Sequence, residues 1–289
     1  IRMCRPMRAF FSAFFRHPSG ITGAVLLALV AGLALGAPLL FPVDPWEMVG
    51  APFEPPLSEG LIFGSDTLGR DVAAGIAWGA RVSLIIGIAS AVSAAGIGVI
   101  VGAAAGYFGG LVDDVLMRIT ELFQTIPGFV LAILLVAILS PGMETVIFSI
   151  AVVSWPPLAR LTRAEFMSIA TRDFVHAARC QGESALAIII RHILPNAASP
   201  IVVATSLTVA TAILIESALS FLGLGDPNDM SWGFMVGSAR TVIRQAWWTS
   251  VFPGLAILLT VVAVNLVGEA LNDALNPRIS RARGTQGGQ

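Results

Sequence analysis

Long uncharged apolar runs recur along this chain, separated by short stretches that carry arginine or acidic residues. A helix needs about 20 apolar residues to cross a hydrocarbon core about 30 Å thick. Runs of that order occupy 21–41, 82–112, 122–143, 193–215 and 246–268. A shorter run at 145–159 ends at Trp155, Pro156 and Pro157, and counts as the fourth of six spans. Backbone polar groups inside lipid must be paired within the segment, so each span is expected to be helical. The fifth is expected to start a few residues after Pro195. The first run has 21 residues, more than the usual apolar core of a cleaved leader, so it is read as a retained span.

The expected fold is therefore an all-α polytopic membrane protein with six transmembrane helices. Composition agrees. Of 289 residues 56% are apolar and 12% charged, and mean hydropathy is +0.83. A soluble domain carries about 25% charged residues, so much of this surface meets something other than water. The lipid bilayer is the first expected partner. A net charge of −1 offers no general attraction to nucleic acid.

Orientation follows from arginine, since no lysine occurs. Thirteen arginines fall on one predicted side: Arg2, Arg5, Arg8, Arg16, Arg118, Arg160, Arg163, Arg172, Arg179, Arg191, Arg278, Arg281 and Arg283. Arg70, Arg81, Arg240 and Arg244 fall on the other. The positive-inside rule puts both termini in the cytoplasm. The segment 42–80, with six acids and one arginine, is expected outside. Cys4 and Cys180 fit no metal spacing and are expected reduced on the cytoplasmic side.

Two patterns concern packing. Gly98, Gly102, Gly106 and Gly110 recur every four residues, which puts them on one helix face where backbones can approach closely. Trp46, Trp78, Trp155, Trp232, Trp247 and Trp248 fall near predicted span ends, where amphipathic rings sit at headgroup level.

The polar segment between the fourth and fifth spans is the most specific in the chain. Residues 172–181 read as a short two-faced helix ended by Gly182, a suitable C-cap. Phe174, Ala177 and Ala178 fall on one side, and Arg172, His176 and Arg179 almost opposite. A slim face with one aromatic anchor suits a groove on another protein. A helix lying on the lipid surface with its arginines toward headgroups is the alternative.

The same segment resembles the cytoplasmic loop by which permease subunits of ABC transporters dock on their ATPase. The family signature runs Glu-Ala-Ala, then Gly, then Ile-x-Leu-Pro. Here His176, Ala177, Ala178 and Gly182 precede His192, Ile193, Leu194 and Pro195. Histidine stands in place of both the glutamate and the first isoleucine, a form similar to the dipeptide/oligopeptide/nickel subfamily, C-type subunit. Further pieces resemble it in order: the stretch from Gly64 to Asp71 with Gly79–Leu84, Gly106–Gly110, Ile126-Pro127, the stretch from Leu219 to Gly225, Ser231–Gly233, and Asn276-Pro277-Arg278.

The resemblance implies a type I importer permease in the bacterial inner membrane. Its N-terminus, first helix and external loop would fill 1–81, a five-helix core 82–275 with the coupling loop near 160–195, and a cytoplasmic tail 276–289. It would pair with a second homologous permease, two cytoplasmic ATPase subunits and an extracytoplasmic solute-binding protein. Asp173, Phe174, His176, Ala177, Ala178, Arg179, Gly182 and Pro195 would form the ATPase-coupling site. Peptides are the expected cargo, with nickel or another small solute as alternative.

Nothing in the chain suggests chemistry of its own. His17, His176 and His192 make no metal spacing, and no phosphate loop is possible without lysine. No cofactor is expected, and ATP hydrolysis is assigned to other chains. Glu216, within the fifth span, is a candidate substrate contact because an intramembrane carboxyl is costly; the alternative is a paired or hydrated group near the outer end. Asn265 is a second candidate, or an interhelical hydrogen-bonding residue. Glu269 and Asp273 are expected to form a network with Arg278 or Arg118. A gradient-driven secondary transporter is the competing class, but no clear inverted repeat is visible.

Overall fold

A computed structural model describes residues 14, 15, 17–58 and 60–275. Arg2, Arg5, Arg8, Arg16, Cys4, Arg278, Arg281, Arg283 and the Asn276-Pro277-Arg278 signature lie outside the described residues.

Helix α1 (Pro18–Leu40) opens on a proline, whose fixed φ suits a first turn. The segment 41–71 then folds back on itself through isolated bridges joining Met48 to Arg70, Ser58 to Leu61, and Ser65 to Asp71. Gly69 has φ +79°, and a Cβ there would lie 2.1 Å from the Gly50 carbonyl oxygen, so only glycine fits. The Trp248 indole N–H donates to the Ser65 carbonyl at 3.0 Å, anchoring this cap to the last helix.

Helix α2 (Val72–Phe108) is capped by Asp71, whose carboxylate accepts from the Ala73 N–H at 2.8 Å. It begins ten residues before the expected span at 82 and inside the segment read as an external loop. Val72, Ala73, Ala77 and Ala80 are buried. Arg81 interrupts the apolar run and hid this extension; its guanidinium lies 5.2 Å from the Trp78 ring.

Helices α3 (Gly110–Thr125) and α4 (Gly128–Leu139) meet at 83° across Ile126 and Pro127. This corrects the third span at 122–143, which is broken at Ile126 and Pro127 and ends at Leu139, because proline cannot continue the ladder and biases the residue before it away from the helix. Helix α5 (Met143–Ala170) corrects the short fourth span. It runs through Pro156 and Pro157 without ending, as membrane helices can when neighbours satisfy the freed groups.

Helix α6 (Asp173–Cys180) follows, then α7 (Ala185–Ile188), which passes through a π turn at Ile189–Ile193 into α8 (Leu194–Phe221). The fifth span therefore starts before Pro195. The π turn, closed by the Leu194 N–H on the Ile189 carbonyl, absorbs the proline at the head of α8. A short α9 (Trp232–Ala239) and a long α10 (Trp248–Leu275) complete the chain. Five helices, counting Ala185–Phe221 as one, are long and apolar enough to cross a membrane; α3 and α4 taken together give a sixth.

Gly98, Gly102 and Gly106 do form a packing seam. A Cβ on them would come within 2.7, 2.3 and 2.6 Å of α5 atoms. Gly110 is not part of it, since it has φ +52° and open space around it. The tryptophans divide. Trp155, Trp232 and Trp248 are buried in the protein rather than standing in a belt, and the Trp232 indole N–H donates to the Ile76 carbonyl at 2.9 Å. Trp247 is exposed.

The bundle has two distinct ends. Ala34, Val72, Trp232 and Trp248 cluster at one, Ala103, Phe166, Val175 and Ile193 at the other. The start of α1 packs on the end of α10, where a Cβ on Gly20 would meet Ala270. Residues 14 and 275 therefore lie at the same end as α6.

Candidate functional site

Helix α6 is two turns long and stands between the end of α5 and the start of α7. Its polarity suits its dipole, with Asp173 in the first turn and Arg179 in the last. Its end is closed by the Schellman pattern: the Glu183 N–H bonds the Ala178 carbonyl and the Gly182 N–H the Arg179 carbonyl. Gly182 takes φ +78°, the conformation that pattern requires.

Val175 and Ala178 point inward and are almost wholly buried, against Phe166, Ile169, Ile188 and Ile193. Asp173, Phe174, His176, Ala177, Arg179 and Cys180 are exposed. Ala178 is thus not on the outward face with Phe174 and Ala177, as the sequence reading had it. The large Phe174 ring misled the assignment; the missed signal is Val175 and Ala178, three apart on one stripe. The Arg179 guanidinium lies 5.2 Å from the Tyr107 ring, resting α6 on the end of α2.

The turn after α6 is fastened to the π turn. His192 Nε2 and Glu183 Oε2 are 3.0 Å apart, and the Asn196 amide donates to the His192 carbonyl at 2.7 Å. Pro195 is exposed beside them. The structure therefore brings the segment from 173 to 196 together as one unit at one end of the bundle.

Glu216 and Asn265 are elsewhere and not together. Glu216 is buried in α8, where the Ser220 hydroxyl donates to it at 2.8 Å. That favours the paired reading over a substrate contact. Asn265 is exposed on α10 and makes no interhelical hydrogen bond among the described residues. Arg118 pairs with Glu121 at 3.3 Å, and Asp273 approaches His17 at 4.0 Å, so the network expected through Arg118 does not form.

Sequence reading missed a groove of about 360 Å³ walled by α4, α5 and α8. Phe129, Ser154, Leu207, Thr208, Thr211 and Ile215 line it, and no lining residue is charged. Thr208 and Thr211 donate their protons to the Ala204 and Leu207 carbonyls at 2.9 and 3.2 Å. Their remaining lone pairs are left as acceptors. The hydroxyl pair three residues apart in the fifth span was the readable signal.

At the opposite end, the loop before α9 is tied to α5 by Asp226, which accepts from the Met143 N–H at 2.9 Å. Burial pushes the nearby Asp229 carboxyl above its usual range, and the Asp226 charge adds to this. Among the described residues no cluster of His, Cys, Asp and Glu could hold a metal ion.

Comparison with known proteins bears on all of this. The family profile described as "Binding-protein-dependent transport system inner membrane component" matches residues 98–281. The di/tripeptide transport system permease protein DppC of Pseudomonas aeruginosa is 38% identical over 284 residues, covering 96% of this chain and 94% of that protein. The dipeptide transport system permease protein DppC of Alkalihalophilus pseudofirmus is 37% identical over 280 residues, covering 95% and 90%. A structure of the MetNI methionine ABC transporter in an inward-facing conformation superposes with TM-score 0.56 at 20% identity, over 71% of this chain and 94% of that one. The likeness is one of fold, that of a type I importer permease.

Proposed function

The chain belongs to the family of binding-protein-dependent transport system inner membrane components, and from that premise we propose that it is one permease subunit of an ATP-driven importer of short peptides. The carrying observation is α6, whose inward residues Val175 and Ala178 hold Phe174 and Ala177 out at the end of the bundle where the described chain begins and ends. A helix fixed to the core on one side and open on the other fits a groove on a partner.

In this reading the end bearing α6 faces the cytoplasm, together with both termini. Two ATPase subunits sit there and carry the ATP chemistry. A second permease lies beside this one in the membrane and forms the other wall of the path, and a solute-binding protein delivers cargo from outside. Asp173, Phe174, His176, Ala177, Arg179 and Gly182 meet the ATPase, while Ala178 and Pro195 support the contact. The groove between α4, α5 and α8 is this subunit's wall of the path. A wall of hydroxyls and apolar groups can bond peptide amides without selecting side-chain charge. Peptide cargo is supported by the relatives named for di- and tripeptides.

The test is affinity capture of the tagged chain from membranes of its source organism, followed by uptake of radiolabelled dialanine in proteoliposomes. An ATPase with the nucleotide-binding signatures should be retained, and its retention should be lost in Ala177→Glu. Recovery of the folded chain without any ATPase would overturn the proposal.

A further inference from the structure

Glu216 is 1% exposed, does not line the groove, and has no cationic partner among the described residues. It nevertheless joins three elements. Ser220 on α8 donates to one carboxyl oxygen at 2.8 Å and Ser217 to the other at 3.4 Å, and the hydroxyls of Ser83 on α2 and Ser231 before α9 stand beside the carboxyl. Each of those two hydroxyls already accepts from a backbone N–H. Ser83 takes that of Trp232 at 3.3 Å, and Ser231 that of Phe234 at 3.1 Å. Their own protons are therefore free to point at the carboxyl. The chain of contacts runs from Glu216 through two serines to the first turn of α9.

The same helix is pressed onto α8. A Cβ at Gly233 would lie 2.6 Å from the Ser217 Cα, and one at Gly237 3.0 Å from the Phe221 Cα. The other end of α8 continues through the π turn to α7 and the Glu183–His192 contact beside α6. One helical rod thus connects the outward helix at one end to α9 at the other, with Thr208 and Thr211 between.

We propose that Glu216 is a positioning residue that locks α9 onto α8, so that displacement of the rod carries the outer end of the bundle with it. This rests on the importer reading for its purpose, but the lock itself is a property of this chain. A glutamine can keep the bonds, accepting from Ser220 and presenting its amide to the serine oxygens. Alanine cannot.

The test uses the assembled transporter, with Cys4 and Cys180 replaced by serine and spin labels at Leu214→Cys on α8 and Arg240→Cys after α9. The parent and Glu216→Gln should give one narrow distance, the same with and without trapped nucleotide. Glu216→Ala should broaden it, and dialanine uptake per ATP hydrolysed should fall about tenfold. Ser231→Ala, which removes one relay hydroxyl and leaves the carboxyl bonded to Ser220, should broaden it less and serves if Glu216→Ala does not assemble. An unchanged distance in Glu216→Ala and Ser231→Ala, or a Glu216→Gln that behaves like alanine, overturns the lock. A chain that never retains an ATPase overturns the importer reading instead, while the distance within the chain still reports on the lock.

Discussion

Glu183 closes α6 with its backbone and pins the π turn ahead of α8 with its side chain: its N–H bonds the Ala178 carbonyl at 3.2 Å, and its carboxylate lies 3.0 Å from His192 Nε2. A single residue therefore fixes the outward helix to the π turn that joins α7 to α8. Both side chains are about a third exposed, 30% for Glu183 and 33% for His192.

Water screens a contact of that exposure, so Glu183→Ala or His192→Ala should change thermal stability by less than about 1 kcal/mol. Its effect should instead appear in work done per ATP. Uptake per ATP hydrolysed should fall in both variants while the melting temperature in detergent barely moves. Equal falls in melting temperature and activity would mean the contact only holds the fold.

The two faces of α6 give a sharper contrast. Phe174→Ala and Ala177→Glu alter exposed positions and should leave the melting curve unchanged while releasing the ATPase during purification. Ala178→Glu buries an unpaired charge among Phe166, Ile188 and Ile193, and should cost about 3 kcal/mol or more. If Ala178→Glu folds normally and only releases the ATPase, the orientation of α6 is wrong.

The glycine seam can be tested against an internal control on the same helix. A Cβ at Gly102 would lie 2.3 Å from the Ala159 carbonyl oxygen, whereas one at Gly96 meets nothing within 4 Å. Forcing α2 and α5 apart should cost Gly102→Ala about 1–3 kcal/mol. Gly96→Ala should melt at or above the parent. Similar losses at both sites would show that helix flexibility, not contact with α5, explains the glycines.

What could be read from the chain, and what could not, divides along physical lines. Apolar length marks a span wherever no charge intrudes, so α1 and the start of α10 came out close to their bounds, while the end of α10, which runs on through Glu269 and Asp273 to Leu275, did not. It fails at Arg81, because an arginine whose charged end rests over Trp78 can sit inside a helix. It fails at Pro156 and Pro157 for a related reason, since proline ends a helix in water more reliably than inside a packed bundle. Tryptophan near an apparent span end does not show whether the ring meets lipid or a neighbour, and Trp232 meets Ile76. In α6 the motif located the helix, but its orientation depended on Ile188 and Ile193, which approach Val175 only after the chain turns at Gly182. Of the groove only the Thr208–Thr211 pair could be read, for the same reason: Ser154 and Thr211 share a wall only once α5 packs on α8.

Asp71 allows a prediction in which pH separates capping from charge. It caps α2 by accepting from Ala73, yet burial pushes its carboxyl above the usual value of 3.8, with the Ala73 and Ala74 N–H groups acting the other way. Because the folded state holds its proton more tightly than the unfolded chain, the linkage runs against ionisation. The folded state is favoured while the carboxyl is protonated, and loses stability as pH rises through the raised value. Asparagine caps about as well as aspartate and carries no charge. Asp71→Asn should therefore melt above the parent at neutral pH, with the difference closing as pH falls below the ordinary carboxylate range. Asp71→Ala lacks the cap and should lose about 1 kcal/mol relative to Asp71→Asn at every pH. Melting curves of the three proteins in detergent, recorded across that range, decide it. If Asp71→Asn instead falls below the parent at neutral pH, the ionised carboxylate is stabilising α2 and the burial argument fails.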